Sequence, residues 1–143
     1  LAGIPLFRLA AEAGVGDSLI ITGEVTDAQL QNLMAGADLF VFPSMYEGFG
    51  LVVAEAMASG VAVLAARAGA VAEVVGDAAP IVENGGNSAE LAAHMVDLLS
   101  NDARREDVAR ACLRRSTVFR LDVAARNTMA FYEESIRADR RPG

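Results

Sequence analysis

The sequence predicts an α/β domain: a parallel sheet of about four strands, helices on both faces, and a helical C-terminal end. Three observations carry this. Short apolar runs alternate with stretches of helical spacing, the order a parallel sheet requires, because its strands are joined by crossover helices. The runs are apolar at consecutive positions rather than alternate ones, as strands buried on both faces are. The chain has 143 residues, 53% of them hydrophobic and 22% charged. That is enough to close one core, and it is not the composition of a disordered segment.

The apolar runs are Leu19–Thr22, Leu39–Phe42, Val61–Ala65 and Pro80–Val82. Leu6, Leu9 and Ala13 mark a helix before them. Leu30, Leu33 and Met34 mark the next, with Thr26 or Asp27 as its cap. Val52, Val53, Ala56 and Met57 mark a third, ended by Gly60. Val71–Val75 is a short fourth. A fifth starts at Ser88, runs through Leu91, Met95, Leu98 and Leu99, and breaks at Asn101-Asp102. Two more are expected over about 103–116 and 122–138, and the Arg-rich end, Arg137 to Gly143, is expected to fray.

The formal net charge is −7, which argues against a broad nucleic-acid surface. Every basic residue is Arg, which reads as compositional bias. The one cysteine, Cys112, allows no internal disulfide and is expected to be a small packing residue. No apolar run is long enough to span a bilayer. The start, LAGIPLFRLAAEAG, lacks a basic leader and is interrupted by Arg8 and Glu12, so it is not a secretory signal. It also lacks an initiator Met, and the chain reads as part of a longer protein.

Ligands of parallel sheets bind at the carboxyl ends of the strands. Those ends are Gly23-Glu24, Pro43–Gly50, Ala66–Ala70 and Glu83–Gly86. The segment PSMYEGFGLVVAEAMA, Pro43 to Ala58, is the most informative of them. A glycine loop that opens a helix exposes unpaired N–H groups and the positive end of the helix dipole, so it is an anion site. Glu47 in that loop and Glu55 in the helix can hold hydroxyl groups. Phosphate together with hydroxyls points to a nucleotide sugar. Glu47 is placed to face sugar hydroxyls or a developing positive charge; the plainer reading is a solvated turn acid. Glu55 has small apolar neighbours, Ala54, Ala56, Met57 and Ala58, and is expected to be partly buried. Its partner is then a pair of ribose hydroxyls, or an Arg such as Arg67.

Gly48 and Gly50 are either turn residues or part of the anion site, and Phe49 between them is core or a partial wall. Gly69 and Glu73 are divided evenly between ligand contact and local structure. Gly23, Glu24 and Val25 border the position of a base. Asp38 is a cap or turn residue, and His94 is expected to be packed and hydrogen-bonded. No His, Asp and Glu set has metal-ligand spacing, and Ser44 has no evident base.

PSMYEGFGLVVAEAMASG resembles the signature of the retaining glycosyltransferases of family 4, the group 1 transferases of GT-B fold. ITGEVTDAQLQNLMAGADLFVFPS and AGAVAEVVGDAAPIVENG resemble the flanking segments. Glu47 and Glu55 match the family's two glutamates separated by seven residues. The resemblance implies a Rossmann-like C-terminal GT-B domain spanning residues 1–143. It implies transfer of a sugar from a UDP or GDP sugar with retention, and no tightly bound metal or other cofactor. By position, Glu47 contacts the donor sugar near the reacting carbon. The amides of Gly48, Phe49, Gly50 and Leu51 hold sugar hydroxyls and diphosphate, Glu55 binds ribose, and Gly23, Glu24 and Val25 border the base. It implies a cytoplasmic enzyme, or one peripheral at the inner membrane face.

The chain departs from the pattern where family members have proline, at Val52, Ala62 and Ala72. The N-terminal acceptor domain and two strand–helix units, with an Arg and a Lys that neutralise diphosphate, have no counterpart here. In the family's sheet those two strands lie between Leu19–Thr22 and Leu39–Phe42. The sheet is therefore expected to close the gap, leave an edge or exchange strands in a homodimer, and the chain alone is expected to be inactive. A small α/β nucleotide-binding or regulatory module without transfer chemistry is the alternative.

Overall fold

The computed structural model describes residues 6–139. The first five residues and the last four of the Arg-rich end lie outside the described residues. The chain divides into two compact units, one ending at Leu30 and one beginning at Gln31.

The first unit contains helix α1 (Leu6–Glu12), a 3-10 turn (Gly16–Ser18) and the start of α2 (Asp27–Ala35). Thr26 caps α2: its N–H donates to Gln29 Oε1 at 2.9 Å, and the Gln29 N–H donates back to Thr26 Oγ1 at 3.4 Å. This is a reciprocal capping box. The run Leu19–Thr22 does not form the expected strand. A strand is held by its ladder, and no described residue offers one to this run. Its Ile20 is 84% exposed.

The second unit holds a parallel three-stranded sheet in the order β1 (Leu39–Phe42), β2 (Ala62–Ala66), β3 (Ile81–Val82). Leu39 pairs with Ala62 and Phe42 with Ala65; Ala66 pairs with Val82. All five residues of β2 are buried, as its central place demands. Among the described residues the sheet thus has three strands rather than about four, and β1 is left as an edge, one of the outcomes expected above. Helix α3 (Leu51–Ala58) connects β1 to β2, and α4 (Val71–Val75) connects β2 to β3. Helices α5 (Ser88–Ser100), α6 (Asp102–Ser116) and α7 (Leu121–Asp139) follow.

Strand alternation sorts the side chains onto two faces. Leu39, Val41, Leu64 and Val82 meet Leu91, Met95 and Leu98 of α5 and Val108 of α6. Each buried leucine on that face contributes roughly 2 kcal/mol of transfer free energy. Helix α6 also packs against α3 and β2. Two arginines tie the helices down. The Arg105 guanidinium donates to the Leu98 carbonyl at 3.3 Å and pairs with Asp102 at 2.8 Å. Arg115 donates to the carbonyls of Glu73 and Val74 at 2.7 and 3.2 Å, which satisfies the C-terminal end of α4.

Buried Cys112 donates to the Ala78 carbonyl at 3.8 Å, and burial pushes its thiol pKa up. It is a packing residue, as expected. Asp38 is exposed, 3.8 Å from Arg105. His94 is half-buried on α5, but the hydrogen bond expected for it is not among those of the described residues.

Candidate functional site

Three loops meet at the carboxyl ends of β1, β2 and β3. The first is Pro43–Gly50, and it is held by main-chain contacts. The Ala70 N–H donates to the Gly48 carbonyl at 3.1 Å. Gly69 has φ +50°, and a Cβ there would overlap the Glu47 carbonyl oxygen. Gly69 is therefore required both by conformation and by close approach. The sequence alone leaves Gly69 divided between two roles, because a contact between loops has no local signature.

Gly50 has φ +84° and is the N-cap of α3, without a side-chain cap. A Cβ on it would stand 2.9 Å from Val71 Cγ2. Among the described residues no acceptor takes the N–H of Phe49, Gly50, Leu51 or Val52; the first N–H of this stretch to be bonded is that of Val53, to the Gly50 carbonyl at 2.9 Å. Four consecutive free amides thus stand at the positive end of α3. Gly48 departs from the expected pattern. Its N–H already donates to Glu47 Oε1 at 2.9 Å, so the half-buried Glu47 carboxylate folds back over the loop.

Glu55 departs from expectation as well, since it is exposed rather than partly buried. Of the small apolar neighbours, Ala54, Ala56 and Met57 are buried on the other side of the helix, and only Ala58 shares the side of Glu55. The residues that share its face lie three or four positions away. Leu51, Glu55 and Ala58 form that outward stripe, while Val53, Ala54, Ala56 and Met57 face inward. Arg67 is not its partner. Arg67 forms a two-pronged pair with Glu83, at 2.7 and 3.0 Å, and these hydrogen bonds hold the Glu83 carboxyl below the usual carboxylate range.

Glu55 lines a recess of about 450 Å³ together with Leu51, Ala58, Leu113, Phe119 and Arg120. Phe49 is 46% exposed and stands edge-on to Phe119, ring centres 6.1 Å apart, so it is not core. Nothing in the local sequence marks Leu113, Phe119 and Arg120. They lie about sixty residues from Glu55 on a different helix and turn, and only the packing of α6 on α3 brings them near. Gly23 (φ +64°), exposed Glu24 and half-buried Val25 belong to the first unit. Glu73 is exposed in the first turn of α4.

A parallel sheet with a glycine loop, free amides and two carboxylates at its carboxyl edge defines a Rossmann-like ligand-binding fold. The family model for group 1 glycosyl transferases matches residues 5–114, and the chain belongs to that family. It is 34% identical over 137 residues to D-inositol 3-phosphate glycosyltransferase of Streptomyces avermitilis, covering 95% of this chain and 30% of that protein. Its fold matches sucrose-phosphate synthase of Thermosynechococcus elongatus with a TM-score of 0.79 at 26% identity, over 93% of this chain and 34% of that one. It also matches HepE of Anabaena, solved in complex with UDP-glucose, with a TM-score of 0.72 at 28% identity, over 91% of this chain and 35% of HepE. The chain thus spans about a third of the length of these relatives.

Proposed function

We propose that this chain is the nucleotide-sugar-binding part of a retaining glycosyltransferase. The observation that carries the reading is the run of free amides from Phe49 to Val52 at the start of α3, flanked by Glu47 and Glu55. The amides take the diphosphate of a UDP or GDP sugar. Glu55 takes the ribose hydroxyls at the mouth of its recess. Glu47 faces the donor sugar, where a carboxylate stabilises the positive charge that develops at the anomeric carbon as the leaving diphosphate departs. Family membership and the UDP-glucose held by HepE support the substrate class.

Acceptor binding belongs to the part of the relatives that this chain does not span, so the chain alone binds donor without transferring sugar. Calorimetric titration with UDP and with GDP tests the reading. We expect binding of one of them in the high micromolar to millimolar range; no heat from either at millimolar ligand sinks the idea. The open edge of β1 also fits strand pairing with a second copy. Sedimentation showing only monomer at every concentration would refute that pairing.

A further inference from the structure

The loop after β3 contains a glycine with no role so far. A Cβ on Gly85 would overlap the Pro43 carbonyl oxygen, and would stand 2.9 Å from the Pro43 carbonyl carbon and 3.1 Å from Ala66 Cβ. The two Pro43 atoms are main chain and cannot rotate aside. Gly85 is not among the positive-φ glycines, so what it supplies is space, not conformational freedom. Gly86 is the natural contrast. A Cβ there would meet only side-chain atoms, Asn84 Oδ1 at 3.2 Å and Met45 Sδ at 3.5 Å, and these can move.

Pro43 begins the loop that ends in the free amides. The middle of that loop is fixed by Gly69 and by the Ala70 to Gly48 hydrogen bond, and its end by Gly50 against Val71. A push at Pro43 therefore cannot slide the whole loop. It must be absorbed between Ser44 and Glu47, within the turn that the Ser44 hydroxyl closes on the Tyr46 carbonyl at 2.9 Å. We infer that Gly85 is a positioning residue for the glycine loop: its missing side chain lets the β3 loop seat Pro43, and that seat sets the course of the chain from Ser44 to Glu47 and with it where the Glu47 carboxylate stands.

The test compares Gly85→Ala with Gly86→Ala in the full chain, by ¹⁵N–¹H spectra without ligand and by UDP and GDP titration. Gly85→Ala is expected to move the resonances of residues 44–47 as a group and leave those of α5 in place, whereas Gly86→Ala, which meets only the Met45 and Asn84 side chains, shifts Met45 alone within that stretch. The affinity arm rests on the donor-binding reading above. Gly85→Ala is expected to spare UDP and GDP affinity, since the fixed Gly48 and Gly50 keep the free amides in place and Glu47 faces the sugar, which these nucleotides lack. If the unmodified chain binds neither nucleotide, the donor reading fails while the spectra still decide the positioning role. Spectra of the two variants that coincide over 44–47 overturn it. Should Gly85→Ala alone not fold, the pair Pro43→Gly/Gly85→Ala is compared with Pro43→Gly, and identical loop resonances overturn the inference.

Discussion

Helix α3 is eight residues long and buries Val53, Ala54, Ala56 and Met57. Helix α7 runs for nineteen residues, and none of its described side chains is buried. Locally, α3 has little to recommend it: a glycine N-cap with no side-chain bond and two valines in its first turn. Helix α7 has the local devices α3 lacks. Asp122 sits in its first turn, Arg137 in its last, and the pairs Arg126–Asp122 and Arg137–Glu133 lie four residues apart. Its Leu121, Met129, Tyr132 and Ile136 stay exposed. The contrast separates two sources of helicity. The helix that carries the site is held by what it packs against, and the helix that carries none is held by its own sequence.

One methionine on each helix tests this most sharply. Met57→Ala should cost roughly 2–5 kcal/mol, since it empties a fully buried position. Met129→Ala should stay within about 0.5 kcal/mol. Urea unfolding of both would collapse the comparison if the two costs were alike. Gly69→Ala comes next, at about 2–3 kcal/mol, because it strains a positive φ and displaces the Glu47 carbonyl at the approach to α3. Glu55→Ala should leave the urea midpoint in place, because the side chain is exposed on α3, yet weaken UDP or GDP binding about tenfold, the loss of one charge-assisted hydrogen-bond pair. Glu47→Ala in the intact enzyme should abolish transfer and largely spare nucleotide affinity; equal effects of the two substitutions would dissolve the roles assigned.

The smallest effect is on α7. Hydrogen bonds from Arg120 and then Arg126 hold the Asp122 carboxyl below its ordinary range. A depressed folded-state pKa means the contribution is full above the unfolded value and is lost as pH falls through the folded one. Helicity should therefore decline slightly on acidification below the ordinary aspartate range, and less so in high salt, since the group is exposed. Asp122→Asn should flatten that slope, which circular dichroism at 222 nm would record.

Much of the fold was legible because its signals are local. The strand Leu39–Phe42 and the helix Val71–Val75 fall where the sequence reading put them, since a run of apolar residues bounded by Gly or Pro leaves few alternatives. Gly60 ends α3 with φ +78° as a C-terminal glycine should. Leu19–Thr22 carries the same apolar signal and forms no strand, because apolarity proposes a strand and only a neighbouring ladder makes one. At the candidate site, the glycine loop and both acids were legible as a motif, but the exposure of Glu55 and the hydrogen bond from the Gly48 N–H to Glu47 were not.

The sequence by itself determined the alternation of strands and helices, the place of the candidate site's glycine loop at a carboxyl edge, and the residue types available there. These follow from hydrophobic period and turn chemistry, which act over a few residues. Only the tertiary structure decided that β1 is an edge, that Arg67 serves Glu83 rather than Glu55, that α6 brings Phe119 to Phe49, and that Gly69 and Gly85 must lack side chains. Each of these depends on two segments, distant in the chain, competing for the same few ångströms of space, and no local pattern encodes that competition.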